Sequence, residues 1–329
     1  MQMPIMDTDI KPVPEFNLED TPKGTLKYYW LNIVSDGFGN PVSIPLIVAR
    51  GMEDGPVLGL TAAVHGNELN GVPVIQRLFA EVDVKELKGS IIGVPVVNVP
   101  SFMRKKRRFP DGVDLNHIMP GKPNGNTSQI YAYRFVDRLV RHFDFLLDLH
   151  TASSGRINSY YIRADMDQPA TKELALLQNA DIIVHNPPLD GTLRGAADAL
   201  DIPAITLEVG NPNTFQKRLI RSGIEGIHNV LCHLGMIDDE LEVAEKETVI
   251  CKRSYWLYTD MGGLLTIRAN LLDRLGKNQD VATLRDIFGR KIRDFHVPDA
   301  GIVIGKSVSP VNQSGGRILH LGIIDESKG

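Results

Sequence analysis

Two histidines in this chain each close an apolar run. His65 follows Val57–Val64 (VLGLTAAV), and His150 ends Phe143–His150 (FDFLLDLH), with polar Thr151, Ser153 and Ser154 directly after it. Glu68 stands three positions beyond His65, across Gly66 and Asn67. Imidazole nitrogens and a carboxylate bind a cation at about 2.0 to 2.2 Å, and two His with one Glu leave a coordination position open for water. That arrangement belongs to hydrolytic metal chemistry, in which the ion activates water and polarises a carbonyl. The plainer reading is that each histidine caps its strand and bonds to backbone. His-x-x-Glu alone is a weak signal that does not decide between the two. What favours a metal is the coincidence of two strand-terminal histidines with polar residues at other strand ends.

The elements that must position these side chains read as α/β. Short continuous apolar runs (VLGLTAAV, SIIGVPVVN, FDFLLDLH, ADIIVHN and AITLEVG) alternate with amphipathic stretches, the pattern of buried strands linked by helices. Helices are expected over 68–82, 131–142 and 215–235, the first carrying Val72, Ile75, Leu78, Phe79 and Val82 at helical spacing. Ligands of such sheets gather at the carboxyl ends of strands, where His65 and His150 fall. Upstream, 25–34 and 42–49 flank Asp-Gly-Phe-Gly-Asn and predict a hairpin. Three parts are expected: an N-terminal arm over 1–25, a catalytic domain over 26–240 and a C-terminal all-β barrel or sandwich over 241–329. The last boundary follows an acidic stretch, Asp-Asp-Glu-Leu-Glu-Val-Ala-Glu-Lys-Glu, after which short Gly-, Pro- and Asn-broken strands begin.

At 329 residues, 43% hydrophobic and 23% charged, the chain is an ordinary globular protein with material for one large domain and a smaller one. A net charge of -4 offers no general attraction to nucleic acid or anionic membranes, which leaves a small molecule as the expected partner. No apolar run reaches the roughly 20 residues of a membrane span, and the first residues lack a basic start followed by an apolar core, so a cytoplasmic location is expected. Cys232 and Cys251 form no CxxC pair and are read as buried, reduced thiols.

Four ordered blocks, Ala62–Gly71 (AAVHGNELNG), Pro95–Gly121 (PVVNVPSFMRKKRRFPDGVDLNHIMPG), Leu146–Thr151 (LLDLHT) and Ile202–Gly210 (IPAITLEVG), resemble the aspartoacylase and succinylglutamate desuccinylase family, itself similar to the zinc carboxypeptidases. The resemblance implies a mostly parallel, mixed sheet flanked by helices, one zinc ion per chain held by His65, Glu68 and His150, and Glu208 as general base. It also implies that Arg107 stabilises the oxyanion or grips the scissile carbonyl, with Arg104 and Arg108 as nearby alternates and Arg108 a candidate substrate contact. Taken alone, the basic run Arg104–Arg108 reads as a solvated surface or a nucleic-acid patch, although no aromatic interleaving supports the second. Asp114 would orient His65, and Asn116 would bind a substrate carboxylate or acyl group. The family's Asp-Leu-Asn-Arg is Asp114-Leu115-Asn116-His117 here, and histidine cannot reproduce the bidentate grip of arginine on a carboxylate.

The expected activity is therefore hydrolysis of an N-acyl amino acid or related small amide, with substrate identity left open by His117. A zinc carboxypeptidase acting on short peptides shares the same residues, and a non-catalytic metal- or ligand-binding protein is a third reading. A biotin or lipoyl carrier role for the C-terminal part is disfavoured, because its candidate hairpin, Leu284–Gly289, contains no lysine. A homo-oligomer follows from the resemblance alone.

Overall fold

The computed structural model describes residue 10 and residues 12–243 and 246–325. Its centre is a mixed sheet of fourteen strands. Across the middle run Pro41–Arg50, Lys88–Val94, Glu53–Ala62, Phe145–His150, Ala204–Val209, Tyr160–Ala164 and Ile182–His185. Glu53–Ala62, Phe145–His150 and Ala204–Val209 are mutually parallel, whereas Tyr160–Ala164 lies antiparallel to Ala204–Val209. The expected hairpin is Thr25–Ser35 against Pro41–Arg50, its turn held by Asp36, which accepts from the Phe38 and Asn40 amides. Within the first 25 residues, Pro12 and Val13 pair with Trp30 and Leu31, and Phe16 is buried.

Successive strand residues face opposite sides of a sheet, and this alternation divides the molecule. Leu58, Leu60, Ala62, Leu147, Leu149, Ile205, Leu207 and Val209 join a core with the helices Gly71–Glu81 and Lys217–His233. On the other face Leu146 and Ala204 pack with Tyr131 and Phe135 of Thr127–Arg138 and with Leu193 and Ala196 of Leu193–Asp198. Towards the carboxyl ends this second face changes character, from Leu146 to Asp148 and His150 and from Ala204 to Thr206 and Glu208. A polar row is thereby set beside an apolar floor.

Helix limits differ from expectation for local reasons. The first helix begins at Gly71, because residues 65–68 close a tight turn in which the Glu68 amide donates to the His65 carbonyl at 3.0 Å. The helix expected over 131–142 starts at Thr127, where Asn126 and Gln129 cap each other's backbone, and ends at Arg138 before a single tighter turn, Val140–His142.

The main sheet runs on past Ile182–His185 into Val249–Tyr258, which pairs in turn with Arg317–Ile324. Four further strands, Lys291–His296, Asp280–Arg285, Gly263–Ile267 and Val311–Asn312, form a second sheet. Leu265, Leu284, Phe295, Ile318 and Leu321 fill the space between the two sheets, making a C-terminal β-sandwich. Both cysteines are free; Cys251 is buried as expected, but Cys232, in the last turn of Lys217–His233, is only partly covered.

The short strand Arg156–Asn158 pairs antiparallel with Gly301–Ser307, tying a loop after His150 to the sandwich. Gly305 sits opposite Asn158, and a Cβ there would stand 2.9 Å from the Ile157 carbonyl oxygen and closer still to the Asn158 side chain. Gly305→Ala is expected to destabilise the chain by about 1–3 kcal/mol through overpacking. Chemical denaturation measures this, and an unchanged midpoint would show that the pairing is not close-packed.

Candidate metal centre

His150 is the last residue of its strand, and the parallel register sets Glu208 directly beside it. On the far side of Glu208, antiparallel pairing sets Tyr161 in the same row. His65 and Glu68 enter from the turn after Glu53–Ala62, where Ala63 adopts a positive φ of 51° that bends the chain off the sheet. Gly66 makes the close approach in that turn, since a Cβ on it would collide with the Ser101 backbone.

His65, Glu68 and His150 each offer a ligand atom, all within 4.8 Å of one another, and all three residues are buried. His150 Nδ1 lies 2.9 Å from Glu68 Oε2. His65 Nδ1 lies 3.0 Å from Glu68 Oε1 yet makes no hydrogen bond, a buried nitrogen left without a partner. The opposite ring nitrogens are held by carboxylates: His65 Nε2 by Asp114 Oδ1 at 2.9 Å and His150 Nε2 by Asp148 Oδ2 at 2.7 Å. Asp148 is itself fixed by the Thr61 hydroxyl at 2.7 Å. Imidazoles anchored on one nitrogen by carboxylates, with the other turned to a common point, are the usual support of a metal-binding pair. The donors therefore fit a divalent cation.

The charges agree with the geometry. Burial pushes the Glu68 carboxyl up, but His65 and His150 outweigh it and hold the group well below the usual carboxylate range. Asp114 is likewise held low against burial by His65 and Arg107. Burial opposes protonation of His150, yet Asp148 and Glu68 raise its imidazole well above the ordinary value. Three carboxylates around two imidazoles attract positive charge, whether a proton or a metal ion.

Of the basic run, Arg107 reaches inward. Its Nη1 donates to Glu68 Oε1 at 2.7 Å and to the Ser153 hydroxyl at 2.8 Å, and its Nε donates to Asp114 Oδ2 at 2.9 Å. Arg108 lines the cavity but spends Nη1 on the Gly112 carbonyl, and Arg104 is exposed outside it. Asn116 Oδ1 accepts from the Leu193 amide at 2.7 Å, and His117 lies at the exposed rim. Glu208 accepts from Asn158 at 3.3 Å and lies 3.4 Å from Arg163 Nε. Of the ten residues singled out in the sequence, all but Arg104 line one cavity of about 570 Å³.

Sequence reasoning passed over Asp148, although its place two residues before His150 puts both on one strand face. It also passed over Arg156, Asn158, Arg163 and Arg194, and over Trp256 and Arg317 of the C-terminal sandwich, all of which line the cavity. A second cluster, Asp165, Asp167 and His185, also has ligand atoms within 4.8 Å of one another. Asp167 is exposed and Asp165 and His185 are half-buried, and His185 Nδ1 already accepts the Met166 amide at 3.1 Å.

The fold and site define a mixed α/β protein with a candidate metal set at the carboxyl ends of its central strands. The model of the succinylglutamate desuccinylase/aspartoacylase catalytic domain matches residues 54–234, and the chain belongs to that family. It is 26% identical over 258 residues to the N-alpha-acetyl-L-2,4-diaminobutyric acid deacetylase of Halomonas elongata, covering 75% of each chain. It is 29% identical over 177 residues to a succinylglutamate desuccinylase of Pseudomonas paraeruginosa, covering about half of each (50% and 53%). Among solved structures, the product-bound ectoine utilization protein EutE (DoeB) from Ruegeria pomeroyi superposes with a TM-score of 0.84 at 24% identity, over 92% of this chain and 97% of that one. A succinylglutamate desuccinylase from Silicibacter sp. gives 0.83 at 22% identity, over 93% and 97%. At these identities the structural likeness is one of fold.

Asp148→Asn removes the charge that orients His150 and is expected to weaken metal binding by about 10- to 100-fold. Competition against a fluorescent chelator measures the change, and unaltered affinity would detach Asp148 from the metal centre.

Proposed function

We propose that this chain is a zinc-dependent deacylase that hydrolyses the amide of an N-acyl amino acid or a related small amide. The observation that carries the reading is the placement of Glu208 beside His150, one strand from a buried His–Glu–His set with an unpartnered imidazole nitrogen. The names of the relatives, a deacetylase and desuccinylases, support the same reaction class.

In this reading His65, Glu68 and His150 hold one zinc ion per chain. Zinc bound there would supply Lewis acidity towards water and the scissile carbonyl. Glu208, nearly buried, takes a proton from the attacking water and returns it to the leaving nitrogen, splitting the amide into a carboxylate and an amine. Asn158 and Arg163 fix the Glu208 carboxylate, so its oxygens need no reorganisation when the proton moves. Arg107 lies next to Glu68 with a planar cationic fork suited to charge developing on the carbonyl oxygen. Asp114 and Asp148 hold the two imidazoles in one orientation. In the same reading Asn116, Arg108 and His117, which line the cavity, contact the substrate.

Among the described residues no helix is long and apolar enough to cross a membrane, and we place the protein in the cytoplasm acting on a small molecule. The division into an arm over 1–25, a catalytic domain over 26–240 and a C-terminal domain over 241–329 is part of the same proposal, as is self-association.

Zinc-loaded protein is expected to cleave N-acetyl or N-succinyl amino acids in preference to dipeptides; the reverse preference would point to a carboxypeptidase. Glu208→Gln is expected to keep its zinc and lose about a hundredfold to ten-thousandfold in turnover. Metal analysis beside a steady-state assay reads both, and near-normal turnover would remove Glu208 as the base.

A further inference from the structure

Two guanidinium groups in the cavity stand apart from the rest. Arg107 is committed to Glu68 and Asp114, Arg163 to Tyr161 and Glu208, and Arg194 to the carbonyl and side chain of Asn186. Arg156 and Arg317 also line the cavity, yet among the described residues neither guanidinium has a hydrogen bond or a salt bridge, the Glu208 and Glu68 carboxylates acting on Arg156 only from further off. Both instead lie over one ring, Trp256, each 5.5 Å from its centroid, and Arg317 also lies 5.7 Å from Tyr258. Trp256 also stacks on His320, at 5.1 Å and 9°.

We propose that Arg156 and Arg317 form a clamp for a carboxylate on the part of the substrate remote from the scissile amide. This rests on the deacylase reading of the site and adds to it the residues that hold the free carboxylate of the acylated amino acid. Two like charges on one indole repel each other, and a cation–π contact recovers only about 0.5–1 kcal/mol at a partly exposed site. An anion between them would turn the repulsion into two charge-assisted interactions, and guanidinium forks match a carboxylate in shape. The basicity of Arg156 is lowered first by burial and then by Arg317 and Arg107, against Glu208 and Glu68, which raise it.

The clamp is also placed to work with the base. Arg156 and Asn158 occupy alternate positions of one short strand and so share a face, and Asn158 donates to Glu208. Pairing of Arg156 with Ser307 fixes that strand against the sandwich, which supplies Trp256 and Arg317. Position 117, where the family arginine would grip a carboxylate, holds a histidine at the rim. The clamp supplies cationic forks from other elements.

The test is calorimetric binding of succinate, glutarate and the neutral diamide succinamide to zinc-loaded protein, wild type against Arg156→Gln/Arg317→Gln. Zinc content, measured on both, holds the metal's own attraction for carboxylates constant. The diacids are expected to bind the double variant about tenfold or more weakly, the scale of two partly screened charge pairs, with succinamide unaffected. Equal diacid affinity in the two proteins, or no diacid binding to wild type, would overturn the clamp. Should the double variant fail to fold, Arg317→Gln alone, at an exposed position, must show a smaller loss in the same direction. Arg317→Lys keeps the charge without the fork and should fall between. Diacid binding that depends on the clamp, in a protein that cleaves no acylated amino acid, would retain the clamp and reject the deacylase reading.

Discussion

The site depends on strand register more than on any single bond. Asp148 and His150, Thr206 and Glu208, and Tyr161 and Arg163 share one face only because side chains alternate along each strand and the pairings hold Glu208 level with His150 and Tyr161. A slip of one residue would send this polar set into the opposite core and bring Leu149 and Leu207 to the cavity. Each of those buried leucines contributes about 1.5–3 kcal/mol by leaving water, so the apolar face fixes the polar one. The geometry of the proposed chemistry is thus enforced by residues that take no part in it.

Upon that frame the carboxylates do a second kind of positioning. Four acids meet in a small buried volume, an arrangement that mutual repulsion would disfavour if they were alone. Each has a distinct partner: Glu68 faces both imidazoles and Arg107, Asp114 bridges His65 and Arg107, Asp148 joins His150 to Thr61, and Glu208 rests on Asn158 and Arg163. The partners are all donors or cations, and the network leaves one buried ring nitrogen unsatisfied, His65 Nδ1. A buried polar atom without a partner costs about 1–3 kcal/mol. A cation at that point would remove the deficit while drawing on the negative charge that the surrounding network already concentrates.

Much of this was legible in the sequence because strand ends announce themselves. Apolar runs closing in His65 and His150 marked the carboxyl edge of the sheet, and the ordered blocks carried the family and Glu208. What escaped had physical reasons. The start of the first helix was placed at Glu68 because apolar spacing does not reveal a tight turn, whereas Ala63 and Gly66 bend the chain there and delay the helix to Gly71. Within Arg104–Arg108 composition is uniform, and only the fold separates Arg107, which turns inward, from Arg104, which does not. Asp148 was readable from strand alternation but looked like one polar break in an apolar run. Arg156, Trp256 and Arg317 lie far apart in the chain and meet through the pairing of Val249–Tyr258 with Arg317–Ile324 and that of Arg156–Asn158 with Gly301–Ser307, long-range contacts that local pattern cannot disclose.

That pairing separates what is fixed in the cavity from what is free to vary. His65, Glu68, His150 and Glu208 stand on the central strands or on the turn that leaves them, locked by the core beneath. Arg108, Asn116 and His117 belong to the connection after Met103, which answers to no register with the metal set, whereas Trp256 and Arg317 stand on strands further along the same sheet, so the cavity wall is assembled partly from loop and partly from distant strands. A substitution such as His117 for the family arginine can therefore alter the wall without disturbing the ligands. The same independence lets cationic groups enter from a different element, since a carboxylate needs a fork within reach rather than one at a given chain position. The catalytic row is held by burial, and the recognition surface by whatever the loops and the sandwich bring to its edge.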